Sequence, residues 1–194
     1  MGLVYPSRPK AFALRLVQNW RLQLFVETGI GDGGCTSWAA DQFRRVWAIE
    51  LDAAVAREVQ TRLADKPNVT ILQGDSATRL KEVVPELDAP ALCWLDAHFM
   101  GDFASDAPSE CPLIDEIRVI NTSPLQHIIM IDDARFFMKP PPMPYRWRLW
   151  PDLHELVAAL DDVPGGRYSI VIDDLIIAVP RAGRGDLVGM LRPL

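Results

Sequence analysis

Short apolar runs alternate along the chain with longer stretches of helical spacing. Runs of strand-forming residues occupy 22–26, 46–49, 69–72, 91–95 and 127–131. Between them, apolar residues recur at three- and four-residue steps. Ala56, Val59 and Leu63 give the clearest stripe, on a helix predicted over 52–64 with Asp52 as its cap. Further helices are predicted over 36–44, over 76–84 (stopped by Pro85), and over 112–120, where Pro112 suits a first turn. Strands that alternate with helices specify a parallel sheet covered on its faces. The last third breaks this rhythm. A helix over 152–160 is followed by the turn Pro164-Gly165-Gly166, then by strands at 168–172 and 175–179 with only Asp173-Asp174 between them. A two-residue connection joins antiparallel strands, so this pair is expected as a hairpin at the sheet's edge.

The predicted fold class is therefore α/β: a Rossmann-like, doubly wound, mostly parallel seven-stranded sheet with an antiparallel edge hairpin, in three α/β/α layers. The 194 residues suit one such domain, with an N-terminal extension or helix over 1–20, a core over 21–180 and a tail over 181–194. Composition adds exclusions. No apolar run approaches the ~18 residues of a transmembrane span. Residues 1–10 hold two prolines and two basic residues but no apolar signal core, so a cytoplasmic, non-membrane protein is expected. Cys35, Cys93 and Cys111 form no C-x-x-C pair, which fits free thiols and no zinc cluster. A net charge of −6 argues against general nucleic-acid binding and towards a small-molecule partner. One stretch stands apart: 139–150, with Pro140, Pro141, Pro142 and Pro144 beside Tyr145, Trp147 and Trp150. Its aromatics are expected to pack on the core or on a partner subunit, which leaves room for a homodimer, or to wall an acceptor pocket.

The candidate chemistry begins at Glu27-Thr28-Gly29-Ile30-Gly31-Asp32-Gly33-Gly34, where the first strand ends and a helix opens. Three ligand classes compete for such a turn. Gly29 to Gly34 has the spacing of a nucleotide-triphosphate loop and Thr36 stands at its Ser/Thr position, but Cys35 replaces the lysine that meets the phosphate charge. Gly29, Gly31 and Gly34 also spell a dinucleotide fingerprint, with Glu50 near the ribose-binding position. Against it, Glu27 and Asp32 would repel a pyrophosphate. S-adenosylmethionine carries a sulfonium and an ammonium instead, and for it an acid at the strand tip is favourable.

Glu27-x-Gly29-x-Gly31-x-Gly33 resembles the acid-x-G-x-G-x-G signature of class I S-adenosylmethionine-dependent methyltransferases. The resemblance runs over about residues 20–180, by the order of strands and motifs. It implies that Glu27, Thr28, Gly29, Gly31 and Gly33 face the methionine part of the cofactor. It implies further that Glu50 and Leu51 lie at the ribose and adenine, and that Asp75 and Ser76, in Gln73-Gly74-Asp75-Ser76, reach the adenine. The competing structural role for Glu50 and Asp75 is to cap the helices that follow.

Strand four runs into Leu95-Asp96-Ala97-His98 and strand five into Ile131-Asp132-Asp133. Neighbouring strands in this fold bring their C-terminal ends to one crevice. Three gathered carboxylates repel unless protons or a cation intervene, and hard oxygen ligands suit Mg²⁺, Mn²⁺ or Ca²⁺. The arrangement resembles the metal-dependent small-molecule O-methyltransferases of macrocin type. That likeness implies a metal on Asp96, Asp132 and Asp133, with Asp96 also beside the cofactor and His98 as the catalytic base with Asp96. The sequence departs from that pattern at His98, where a second acid is usual, and at Ala134-Arg135, where an aromatic is. His127 and His154 read as structural. The segment 99–111, with Asp102, Asp106 and Glu110, reads as a lid or a solvated loop. The expected function is methyl transfer to a hydroxyl of a small molecule. The alternatives are an NAD(P)-dependent oxidoreductase and a cofactor-binding protein of this fold without catalysis.

Overall fold

The computed structural model describes residues 8–98 and 109–191. Asp102 and Asp106, and the lid expected around them, lie outside the described residues. Five parallel strands form where the apolar runs predicted them: β1 (Leu24–Thr28), β2 (Arg45–Glu50), β3 (Val69–Gln73), β4 (Ala91–Leu95) and β5 (Ile128–Ile131). The hairpin β6 (Arg167–Ile172) and β7 (Leu175–Pro180) closes one edge, giving the order β3-β2-β1-β4-β5-β7-β6. β7 is antiparallel to both β5 and β6, as the two-residue turn requires. β1, β4 and β5 are buried along their whole length, because helices cover both faces of the sheet.

One face carries α4 (Ser76–Val83), α5 (Leu113–Ile120) and α6 (Leu153–Asp161), whose Leu80, Ile117 and Leu156 join Val26, Ile49 and Ile129 in one core. The other carries α1 (Arg8–Trp20), α2 (Gly34–Gln42) and α7 (Arg184–Leu191), packed over Phe25, Trp94 and Met130. α3 (Ala53–Arg62) packs beside them through Val59 and Leu63 onto Ala48. The caps are local. Asp52 accepts from the Ala54 and Val55 amides, and Asp152 forms a reciprocal capping box with Glu155.

Several boundaries shift by one or two residues, as for α2, which begins at Gly34 instead of Thr36, and two differences matter for the site and the tail. β1 runs two residues later than its apolar run, so Glu27 and Thr28 belong to the strand and are buried in it. The tail at 181–194 contains α7, whose Gly185 and Gly189 make it a poor helix former. Burial of Leu187 and Met190 beside Ala13 and Leu16 supplies what propensity lacks. Among the described residues no helix is long and apolar enough to cross a membrane.

His127 is structural, as expected. Its Nδ1 accepts the Ala91 amide at 3.1 Å, and burial, with the Arg167 guanidinium nearby, lowers its pKa from 6.5 to about 4. The unfolded chain then binds a proton between those values that the folded chain does not. This contribution to stability is complete above pH 6.5 and is lost as pH falls towards 4. Glu116, raised by burial to about 7, has the opposite sign and loses its contribution as pH rises through that value. The comparison of variants removes this background. Moving from pH 8 to pH 5 should cost the wild type about 2 kcal/mol more than His127→Asn, whose amide oxygen can still accept from Ala91. Urea unfolding at the two pH values measures the difference, and equal losses in both proteins would exclude His127 as its source.

Candidate active site

The site grows from strand register. Thr28 at the end of β1 lies level with Ile49 in β2 and Leu95 in β4, and Leu95 lies level with Ile131 in β5. The residues that follow, Gly29, Glu50, Asp96 and Asp132, therefore leave the sheet at one edge. Backbone bonds tie these exits together: the Gly29 amide donates to Ile49 O, Asp96 to Thr28 O, and Asp132 to Leu95 O.

Gly29 has φ 79°, and a Cβ there would lie 2.2 Å from the Asp96 carbonyl oxygen. The turn therefore passes against β4 at a distance only glycine allows. Two residues on, a Cβ at Gly31 would meet no heavy atom within 4 Å, so the turn is open to a ligand there. Gly33 caps α2 in left-handed conformation.

The acids occupy distinct stations. Glu27 is buried and accepts from the Thr36 hydroxyl at 2.5 Å. Glu50 takes the Ile30 amide at 3.0 Å and, through its other oxygen, the Asp52 amide at 2.9 Å. It thus clasps the glycine turn, and Asp52, not Glu50, caps α3. Asp75 does cap its helix, accepting from Thr78 at 2.8 Å, and buried Ser76 follows it. Leu51 leaves β2 with its side chain exposed.

β4 and β5 bring Asp96, His98, Asp132 and Asp133 together. His98 Nε2 lies 2.8 Å from Asp133 Oδ2, and His98 Nδ1 lies 3.6 Å from Asp96 Oδ1. Trp150, Phe136 and Phe137 surround the imidazole at 5.5, 6.0 and 6.2 Å between ring centres and leave its side chain only 2% exposed. The Asp96 side chain is 36% exposed, more than that of Asp133 at 17%. Burial, then the carboxylates of Asp132, Asp133, Glu27 and Glu116, push Asp96 up to about 8. Burial likewise raises Asp132, whose Oδ1 accepts the Asp133 amide. Burial also acts to raise Asp133, but the His98 hydrogen bond and Arg135 outweigh it and hold that carboxyl below its usual value. This region thus favours positive charge, as a sulfonium would supply.

Three partners of this cluster were not legible as site residues. Arg135 Nη1 lies 2.5 Å from Asp133 Oδ1 and is also ion-paired to Asp174, in the β6–β7 turn. Glu110 is buried rather than solvated, correcting the loop expectation. It accepts from the Arg146 amide, from Arg146 Nε at 2.6 Å and from Trp150 Nε1 at 3.0 Å, and so pins the proline-rich segment. Glu116 on α5 is buried, and burial raises it although the nearby Ser76 and Thr28 hydroxyls act to lower it. The aromatic stretch divides: Tyr145 and Trp150 pack against the core beside His98, while Trp147 is exposed.

Among the described residues one group has ligand atoms close enough for a metal, Asp96, His98 and Asp133, all within 4.8 Å of one another. As arranged, these side chains do not fit a divalent cation. Both Asp133 oxygens are engaged, one by His98 and one by the charged Arg135.

No protein-family model and no curated protein sequence matches the chain. Solved structures do match. An O-methyltransferase from Bacillus cereus in complex with SAH superposes with a TM-score of 0.63 at 16% identity, covering 90% of this chain and 81% of that one. A protein described as an O-methyltransferase, from Klebsiella pneumoniae, gives 0.61 at 19% identity over 90% and 80%. The 23S rRNA methyltransferase ErmE gives 0.54 at 16% identity over 90% and 69%. The chain has the Rossmann-like fold of class I methyltransferases.

Proposed function

We propose that this protein is an S-adenosylmethionine-dependent methyltransferase acting on a hydroxyl of a small molecule. The observation that carries the reading is the convergence of Glu27, Glu50 and Asp96 on a glycine turn that is open at Gly31. Glu27 faces the ammonium of the cofactor and Glu50 its ribose. Leu51, Asp75 and Ser76 border the adenine. The open Asp96 and the His98 behind it lie on the acceptor side. In the reaction the methyl–sulfur bond breaks as the oxygen–methyl bond forms, sulfur keeps the electron pair, and the acceptor's proton passes to Asp96 or His98. Asp133 orients His98 by the logic of an acid behind a base. The net charge of −6 supports a small acceptor over RNA, although an rRNA methyltransferase shares the fold.

Calorimetry with S-adenosylmethionine and with NAD tests this reading. Binding of the first alone is expected, and selective binding of NAD would replace the reading with an oxidoreductase. Glu27→Gln keeps an acceptor for Thr36 but loses the charge, and should weaken S-adenosylmethionine binding about tenfold. An unchanged affinity would remove Glu27 from the cofactor site. Tight cofactor binding without turnover over a broad screen of hydroxyl acceptors would favour the non-catalytic alternative. The divalent metal expected on Asp96, Asp132 and Asp133 is not part of this reading, because His98 and Arg135 already engage the two Asp133 oxygens.

A further inference from the structure

The β6–β7 turn does more than reverse the chain. Asp173 takes φ 52°, which brings Asp174 over the segment after β5. There the Asp174 carbonyl accepts the Ala134 amide at 2.9 Å, and its carboxylate accepts the Arg135 amide at 2.9 Å and pairs with the Arg135 guanidinium. Arg135 in turn lies over the Phe136 ring, 4.7 Å from its centre, and reaches Asp133. A continuous row of alternating charge and hydrogen bonding results: Asp174, Arg135, Asp133, His98, Asp96.

We infer that Arg135, braced by Asp174, occupies the place of the cation in this carboxylate cluster, so that the site is held together by a guanidinium instead of a divalent metal. Three observations carry this. Arg135 is anchored through both its backbone and its side chain, and so is not a loosely held surface arginine. It engages the Asp133 oxygen that His98 leaves, so both oxygens of that carboxylate already face a partner and a metal would compete with a fixed positive charge. The guanidinium is permanently charged, and its Nη1 faces the Asp133 and Asp174 carboxylates together. Arg135 and Asp174 are positioning residues: they fix Asp133, which fixes the His98 ring against Asp96. The inference deepens the proposed function, since it says how the acceptor side is charge-balanced.

The test is a titration of the intact, cofactor-free protein with MnCl₂, with free Mn²⁺ followed by electron paramagnetic resonance. The wild type is expected to show no site tighter than about millimolar. Arg135→Gln, which keeps a hydrogen-bonding group but removes the charge, should gain a site at least about tenfold tighter, dependent on Asp96 and Asp133. Asp174→Asn, which only loosens the brace, should gain a weaker one and decides the matter if Arg135→Gln does not fold by circular dichroism. Micromolar Mn²⁺ binding by the wild type, abolished by Asp96→Asn, would overturn the inference. Absence of any gain in folded Arg135→Gln, or in Asp174→Asn alone if the first is unfolded, would overturn it equally. The titration contains no S-adenosylmethionine, so its failure is separate from failure of the cofactor reading, which calorimetry reports.

Discussion

Asp96→Asn should lower methyl transfer by roughly 10²–10⁴-fold, the usual contribution of a positioned acid or base. The backbone at this position is held by the Asp96 amide donating to Thr28 O at 2.9 Å, so the substitution leaves the frame in place. What it removes is a partly exposed carboxylate 3.6 Å from His98 Nδ1. Stability should move the other way. Burial and neighbouring acids raise this carboxyl from 3.8 to about 8, so the folded chain binds a proton that the unfolded chain releases between those values. The contribution is present below 3.8 and is lost as pH rises through about 8. An asparagine has no proton to lose. The variant should therefore hold its melting temperature across pH 5 to 9 better than the wild type, while forming S-adenosylhomocysteine far more slowly with any acceptor that a screen returns. A merely structural Asp96 would give the reverse pattern, reduced stability with turnover within tenfold, and that result would remove it from the reaction.

Gly29→Ala is expected to abolish cofactor binding and to destabilise the domain by about 3 kcal/mol or more, from left-handed backbone strain and a steric clash combined. The left-handed φ of 79° is the smaller cause, because alanine tolerates it at modest cost. The larger is the Asp96 carbonyl oxygen 2.2 Å from the new methyl group. That oxygen belongs to backbone leaving a fully buried strand, so it cannot turn aside as a side chain would. Either the glycine turn lifts off β4 or β4 shifts from β1, and both displace the residues proposed to hold the cofactor. Gly31→Ala is the internal control. It shares a positive φ, 52°, but has open space around its Cβ, so it should cost less stability and act mainly through the ligand. Thermal unfolding with calorimetry on both variants separates the two causes. Equal stability losses would show that strain alone, and not the approach to β4, matters at Gly29.

The glycine-turn side of the candidate site was legible because its signals are local. An acid, a glycine turn and a helix start follow one another within Glu27 to Thr36, and Glu50 and Asp75 each end an apolar run that is readable by itself. Even there, function and capping were not separable from sequence. In the structure Asp75 caps α4, whereas Glu50 accepts the Ile30 amide of the turn. The side at the ends of β4 and β5 was legible only in its acids and His98. Asp96, His98, Asp132 and Asp133 were found because they end two adjacent strands. Their partners were not: Arg135 read as a departure from a pattern, Asp174 as half of a tight turn, and Glu110 as part of a solvated loop.

The sequence by itself determined which segments are strands, that five run parallel, that the last two form a hairpin, and that the strand ends carry acids beside a glycine turn. Each of these follows from apolar period or turn chemistry within a few residues. Only the tertiary structure decided what those acids are paired with. Asp174 meets Arg135 across 39 positions and His98 meets Asp133 across 35, because β7 lies against β5 and β4 beside it in register. Such pairs leave no periodic trace. Side chains so far apart in the chain meet through the stacking order of strands, and the energy that sets that order is spread over the whole buried sheet rather than held in the residues that it brings together.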